Sequence, residues 1–469
     1  MVNRDENMGL ITRPYPKVFV KLLLISVIVS LAVYTGCTIV FHNYLYSDGA
    51  GYFYTMFKRN GFQLWPQGRI LSQILMQAFA VLGMRAGITD VGILGALYGF
   101  GVTFWTGLFY ALTFLLLIKT RRYDYLTLLV FWMALSLIFT GFLTQIESII
   151  PVALMTFLFF GILLLSDNEK DILPNRIALA LASLMTIFMN EYFIIWSPIL
   201  ILLIAWKILR KKIHLSSFWF ALCIPYLLAM YTAYRGIKNN DPSSVIQAVM
   251  QFHRQTDFIV LIFLIVVLIV LSFDFTSFPQ KGGKLNKFFT ERAKIISVTG
   301  VVLQIIVGLF LFLDVLLYHQ RIAHNSYALR VINLGMPVLF FFIIVIINIL
   351  NVRLKPLWIS SGIILVAMSM YFILSCSAYG AYLKGVVDYC RTHTGFVGIE
   401  EAKINSSGYC WGWPVPMESV TAQMIEGYKT ILCIIVSRGG YQPFRTTDID
   451  QYARFDQYGI VYTGFERKY

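Results

Sequence analysis

The chain has 469 residues, of which 58% are hydrophobic and 13% charged, with a formal net charge of +14. Soluble domains average roughly 45–50% apolar and about 25% charged residues, and here the apolar residues fall in repeated runs of about 18–25, the length that spans a roughly 30 Å hydrocarbon core. With a mean hydropathy of +0.71, that pattern excludes the ordinary soluble class, and the positive charge does not signal nucleic acid, because Lys and Arg punctuate the ends of the runs instead of gathering on one face.

Backbone polar groups inside lipid need internal partners, so these runs are expected to be helices. The first, 18–41, is too long for a signal-peptide core and no small-residue cleavage site follows it; it reads as a span with Arg4, Arg13 and Lys17 held inside. An outer loop, 42–88, follows with two short helices near 49–59 and 67–84. The second, within QGRILSQILMQAFAVLGMRAG (67–87), carries Arg69, Gln73, Gln77 and Arg85 and is expected to lie in the membrane interface as an amphipathic helix. Counting it as a span would place the Lys119–Arg122 and Arg210–Lys212 clusters outside.

Further spans are expected at 89–118, 124–143, 148–165, 176–189, 192–207, 216–234, 258–275, 295–317, 333–350 and 357–376. Every connection on the N-terminal side of the membrane is then basic: Lys119 to Arg122, Lys170 with Arg176, Lys207 to Lys212, Lys281 to Lys294, and Arg353 with Lys355. The short turns on the other side carry no Lys or Arg, which sets the N-terminus inside and the C-terminus outside. The expected fold is an all-α polytopic membrane protein of about 11 transmembrane helices, comprising 1–376, with a small C-terminal extracytoplasmic α/β cap at 377–469. In the cap, CWGWPVPMESV reads as an ordered turn-rich stretch and TAQMIEGYKTILCIIVSRGG as a helix running into a strand.

The six cysteines form no Cys-x-x-Cys pair. Cys37, Cys223 and Cys376 fall in or beside spans as packing residues. Cys390 and Cys410 are a possible disulfide if the cap faces an oxidising compartment.

Ionisable residues near the outer ends of helices are the positions that need a reason. Asp48 follows the first span within a few residues, beside Gly49 and Gly51, which let the backbone turn or approach a ligand closely. Two roles fit it: a general base towards an acceptor hydroxyl, or the start signal of the next helix. Arg69, in Gln67-Gly68-Arg69, suits clamping a phosphate or holding Asp48 ionised, and equally suits a snorkelling interfacial arginine. Glu147 and Glu191 stand at two short outer turns, and the spans around Glu191 are short enough for it to dip towards a cavity.

A second outer set is cationic: Arg235, Lys238, His253 and Arg254, then His319, Arg321, His324 and Arg330. Such groups at headgroup depth suit a phosphate on a lipid carrier or ordinary anionic headgroups. His319 and His324 are five apart, wrong for one helical face, and no metal site is expected. The sequence has no Gly-rich phosphate loop, nucleophile elbow or His-Glu-x-x-His. The middles of the spans are nearly free of charge, unlike those of cation-coupled carriers. That is the pattern of a membrane-embedded enzyme opening to the outside.

A first span, an outer Asp soon after it, two short helices and a Gly-Arg some twenty residues on resemble the GT-C superfamily of lipid-linked glycosyltransferases. The nearest likeness is to the Gtr-type, serotype-converting glucosyltransferases of bacterial O-antigen, carried by Tyr46-Ser47-Asp48-Gly49 and Gly68-Arg69. The resemblance implies a periplasmic site in a bacterial cytoplasmic (inner) membrane, a polyprenyl-phosphate sugar donor, a surface-glycan acceptor such as lipopolysaccharide, and no cofactor. It places the catalytic base on Asp48. Many members have a doubled acidic motif, whereas here Ser47 precedes Asp48; Glu191 is the candidate second carboxylate. The implied reaction is an inverting displacement. Arg69, with Arg235, His253, Arg254, His319, Arg321 and Arg330, would bind and stabilise the lipid phosphate. Tyr46, Tyr52, Trp65, Trp411 and Trp413 are candidates to stack on sugars or to form an interfacial belt. Two alternatives stay open: an O-antigen or capsule polymerase relying on outer arginines, and a non-enzymatic lipid or glycan transporter or flippase.

Overall fold

A computed structural model describes residues 17–46, 48–64, 68–120, 123–139, 146–165, 172–210, 217–239, 256–271, 293–323, 326–350, 358–402, 409, 414–436 and 458–462. The protein is mostly helical, and a helix occupies each range in which the hydropathy pattern predicts a span. In chain order the helices are α1 (Lys17–Val40), α2 (Asp48–Arg59), α3 (Ile70–Arg85), α4 (Val91–Lys119), α5 (Tyr123–Met133), α6 (Ile146–Leu164), α7 (Ile172–Met185), α8 (Phe193–Leu209) and α9 (Ser217–Asn239). They continue with α10 (Thr256–Leu271), α11 (Ala293–Ala323), α12 (Ser326–Leu350), α13 (Trp358–Thr392) and α14 (Val415–Ile425).

Among the described residues, five helical stretches are long and apolar enough to cross a membrane: Lys21–Val40, Val91–Lys119, Ser217–Lys238, Val298–His319 and Ile359–Thr392. Their outward faces are apolar too, as at Leu22, Ile25, Ile28, Leu309 and Phe310, all exposed. Contiguous apolar surface of this kind belongs against lipid. The inward faces meet in one core that includes Trp132, Trp196 and Trp219.

The helix expected near 67–84 runs from Ile70 to Arg85, and its two glutamines differ from expectation. The helix α3 runs antiparallel along α4: Phe79 lies against Phe100, Phe104 and Trp105, and Gly83 closes on Leu94 and Leu97. The Tyr98 hydroxyl reaches Met76 Sδ, and Gly101 abuts the Met76 carbonyl. Of its polar residues, Arg85 is exposed but the two glutamines turn inward. Gln73 and Gln77 are buried, while Leu82 is exposed. At 16 residues, or about 24 Å, α3 is shorter than a hydrocarbon core.

The cap also differs from expectation. The helix α13 runs unbroken through 376 to Thr392, so the change of structure comes sixteen residues later than the compositional shift. The PVPMESV stretch is the start of α14, not a turn, because proline fits the first helical turn, where no amide donor is needed. Strands β1 (Gly395–Gly398) and β3 (Cys433–Val436) pair in parallel, as do β2 (Thr430–Ile431) and β4 (Val461–Tyr462).

Candidate functional site

The chain leaves α1 through a short 3-10 turn at Asn43–Leu45, entered by His42 in a left-handed conformation (φ 55°). Tyr46 is buried with its ring edge-on to Tyr379 at 5.2 Å. Asp48 opens α2 and is half-buried, at the positive end of the helix dipole, which favours a carboxylate. Gly49 is buried, and a Cβ at Gly51 would come within 3.5 Å of Met417 Sδ in α14. The cap helix thus lies against the helix that Asp48 begins, near enough for an ordinary side-chain contact.

Arg69 precedes α3 and bonds through Nε to Glu191 Oε2 at 2.5 Å. The turn that aims it needs Gly68, whose φ of +85° lies in the left-handed region that favours glycine, and the Glu191 side chain packs against that glycine. Glu191 is held from its own side. A 3-10 turn at Thr186–Phe188 ends α7, the Asn190 side chain accepts from the Tyr192 amide at 3.0 Å, and the Glu191 carbonyl accepts from Ile194 as α8 begins. The pair is nearly buried on the acid side, with side-chain exposures of 28% for Arg69 and 10% for Glu191.

The starts of α2 and α3 are tied together. Gln73 Nε2 donates to the Tyr52 hydroxyl at 3.1 Å, and Asp48 and Arg69 each stand one turn before these partners. Gln77 exchanges two bonds with the backbone of Gln63, at 2.7 and 2.9 Å, fixing the loop between the helices. Two predicted residues far apart in sequence, Arg69 and Glu191, thus form one unit, anchored beside the helix that carries the third, Asp48.

The remaining predicted residues fall into three groups. Arg235 is exposed near the end of α9, one turn beyond Thr232, whose hydroxyl bonds the Ile187 carbonyl below Glu191. His319 lies in α11, its Nδ1 donating to the Leu316 carbonyl at 3.3 Å. Arg321 and Arg330 belong to α11 and α12, and Glu147 to α6, but their side chains lie outside the described residues, as do His253, Arg254, Trp65, Trp411 and Trp413. Tyr46 and Tyr52 are 3% and 5% exposed, so these rings serve packing and hydrogen bonding, not sugar stacking; a stacking ring needs an open face. Among the described residues no three of His, Cys, Asp and Glu gather into a metal-binding group. A cavity of about 160 Å³ lies near Lys119, at the other end of α4, and is lined mainly by Leu112, Leu115, Leu116, Phe157 and Leu179.

Glu418 was not foreseen. It is 1% exposed in the first turn of α14, and its two carboxylate oxygens accept from Tyr379 at 3.0 Å and Tyr382 at 3.2 Å. The signals were present: a lone acid just after two prolines, and two tyrosines three apart on one helix face. Nothing in one dimension joins them. Through Tyr379, Glu418 braces the Tyr46 ring that immediately precedes the Asp48 turn.

No protein-family model, curated protein or solved structure matches this chain. The site is read from its chemistry. A half-buried carboxylate at a helix start can accept a proton, and a guanidinium oriented by a second carboxylate can face a developing negative charge.

Proposed function

We propose that the chain is a membrane-embedded glycosyltransferase of GT-C type, moving a sugar from a polyprenyl-phosphate donor to a surface glycan or lipid-linked acceptor outside a bacterial cytoplasmic membrane. The observation that supports this most directly is the Arg69–Glu191 pair, built on Gly68 and tied through Gln73 and Tyr52 to the helix opened by Asp48. In this reading Asp48 takes the proton from an acceptor hydroxyl as its oxygen attacks the anomeric carbon. The bond from that carbon to the phosphate oxygen breaks with inversion, and the lipid phosphate departs with the electron pair. Arg69 stabilises the departing phosphate. Glu191 is a positioning residue that sets the guanidinium plane; a guanidinium carries five N–H donors, so one bond orients it without exhausting it.

The decisive experiment is mass spectrometry of surface glycan from cells with and without the protein. One added sugar per repeat supports the proposal. A change in chain length alone points to a polymerase, and movement of unaltered lipid-linked glycan in proteoliposomes points to a transporter.

A further inference from the structure

Two cysteines that spacing did not pair lie together at the root of the cap. Cys390 is in the last turn of α13 and Cys433 is the first residue of β3; they are 1% and 0% exposed. Only residues 393 and 394 separate α13 from β1. The parallel ladder then sets Cys433 opposite Gly395, with the Gly395 amide donating to the Leu432 carbonyl at 2.8 Å. Gln423 of α14 holds the other side of this strand through the Cys433 carbonyl at 2.9 Å. The start of β3 is therefore fixed beside the end of α13 from two directions, and the two side chains, both free thiols in this structure, lie close enough to interact directly.

We propose that Cys390 and Cys433 form a disulfide that fastens the cap to the end of α13, in place of the Cys390–Cys410 pair suggested by proximity in sequence. The inference rests on the outer placement of the cap in the proposed topology and is independent of any sugar chemistry. In the step, an Sγ–Sγ bond forms as the two thiols release two protons and two electrons. The electrons pass by thiol–disulfide exchange to an oxidoreductase disulfide, which becomes a dithiol. Because both sulfurs are buried in the folded cap, exchange takes place before β3 docks. The bond closes a long loop through α14, the case in which a crosslink restricts the unfolded chain most.

The test uses the full-length protein in its native membrane. Free thiols are blocked with N-ethylmaleimide in denaturant without reductant, and the digest is read by mass spectrometry. A linked peptide pair containing Cys390 and Cys433 is expected, with no alkylation of either. Alkylation of both, or a Cys390–Cys410 link, overturns the proposal. Access of an impermeant protease to a C-terminal tag reads sidedness separately: an outer tag with free thiols sinks the disulfide alone, and an inner tag with free thiols sinks the topology as well. The variants Cys390→Ser and Cys433→Ser should lower the melting temperature equally, and reductant should lower it only in the parent. Unequal shifts, or a reductant effect in the variants, count against the bond.

Discussion

Arg69 Nε stands 2.5 Å from Glu191 Oε2 across 122 positions of sequence. The pair joins the turn before α3 to the turn before α8, and it depends on a glycine in the left-handed region at Gly68. Removing one partner of a fully buried ion pair costs about 3–5 kcal/mol. Arg69 is more than a quarter open, so Glu191→Ala should cost about 1–3 kcal/mol in unfolding measurements in detergent. The double variant with Arg69→Ala should lose less than the two single losses added together. Additive losses would show that the contact carries no coupling.

Asp48→Asn keeps the size of the side chain and its place in the first turn of α2 while removing the base. Sugar transfer should fall about 10²–10⁴-fold, the usual contribution of general base catalysis, with expression and melting temperature close to the parent. Retained transfer would falsify the role given to Asp48. Arg69→Ala should weaken use of the lipid-phosphate donor more than use of the acceptor, read as separate KM values.

The contact between α3 and α4 turns on glycines that differ in surroundings. At Gly101 an added Cβ meets the Met76 backbone carbonyl, which cannot swing aside, whereas at Gly107 it meets nothing within 4 Å. Gly101→Ala should destabilise by about 1–3 kcal/mol through overpacking. Gly107→Ala should be neutral or gain up to about 1 kcal/mol from helix propensity. Equal effects in thermal unfolding would mean that the two helices do not pack in this register.

Glu418 accepts two tyrosine hydroxyls in a buried setting. Glu418→Ala removes both acceptors and should cost about 2–4 kcal/mol, since a buried hydroxyl losing its partner costs about 1–3 kcal/mol. Glu418→Gln retains an acceptor and should lose less. Limited proteolysis of the cap, measured beside melting temperature, should rise in the same order.

His42 supplies a pH dependence. Burial lowers its pKa from the ordinary 6.5, and Glu426 opposes this only as the smaller effect. The neutral ring can accept at Nδ1 from the Tyr44 hydroxyl, 3.0 Å away, and protonation there removes the acceptor. A histidine whose folded pKa lies below its unfolded value stabilises the fold fully above about pH 6.5 and loses that contribution as pH falls towards the folded pKa. The melting temperature should therefore drop between pH 7.5 and pH 5.5, and the drop should shrink in His42→Asn, which suits the left-handed backbone and cannot take a proton.

Much of this molecule was legible along the chain, and the reason is the same wherever reading succeeded. The length of an apolar run is a one-dimensional property, so the helices from Lys17–Val40 to Trp358–Thr392 fall where hydropathy puts them. Asp48 was legible as a helix start for a similar reason: a carboxylate satisfies first-turn amides of its own segment. Reading failed where the partner of a polar group is remote. Gln73 and Gln77 look like the wet face of an interfacial helix until Tyr52 and Gln63 turn them inward. The prolines before Glu418 look like a turn until they are seen to open α14.

By itself, then, the sequence determined that this is a helical membrane protein, with Asp48, Arg69 and Glu191 as residues in want of a partner. Hydrophobic length and local capping need no more than neighbouring residues. Only the tertiary structure decided that Arg69 belongs to Glu191, that Cys390 meets Cys433 and that Glu418 lies between two tyrosines. Each of those contacts joins segments at least 36 residues apart, and short-range, directional bonds of that kind exist only once packing has brought the segments within a few ångströms.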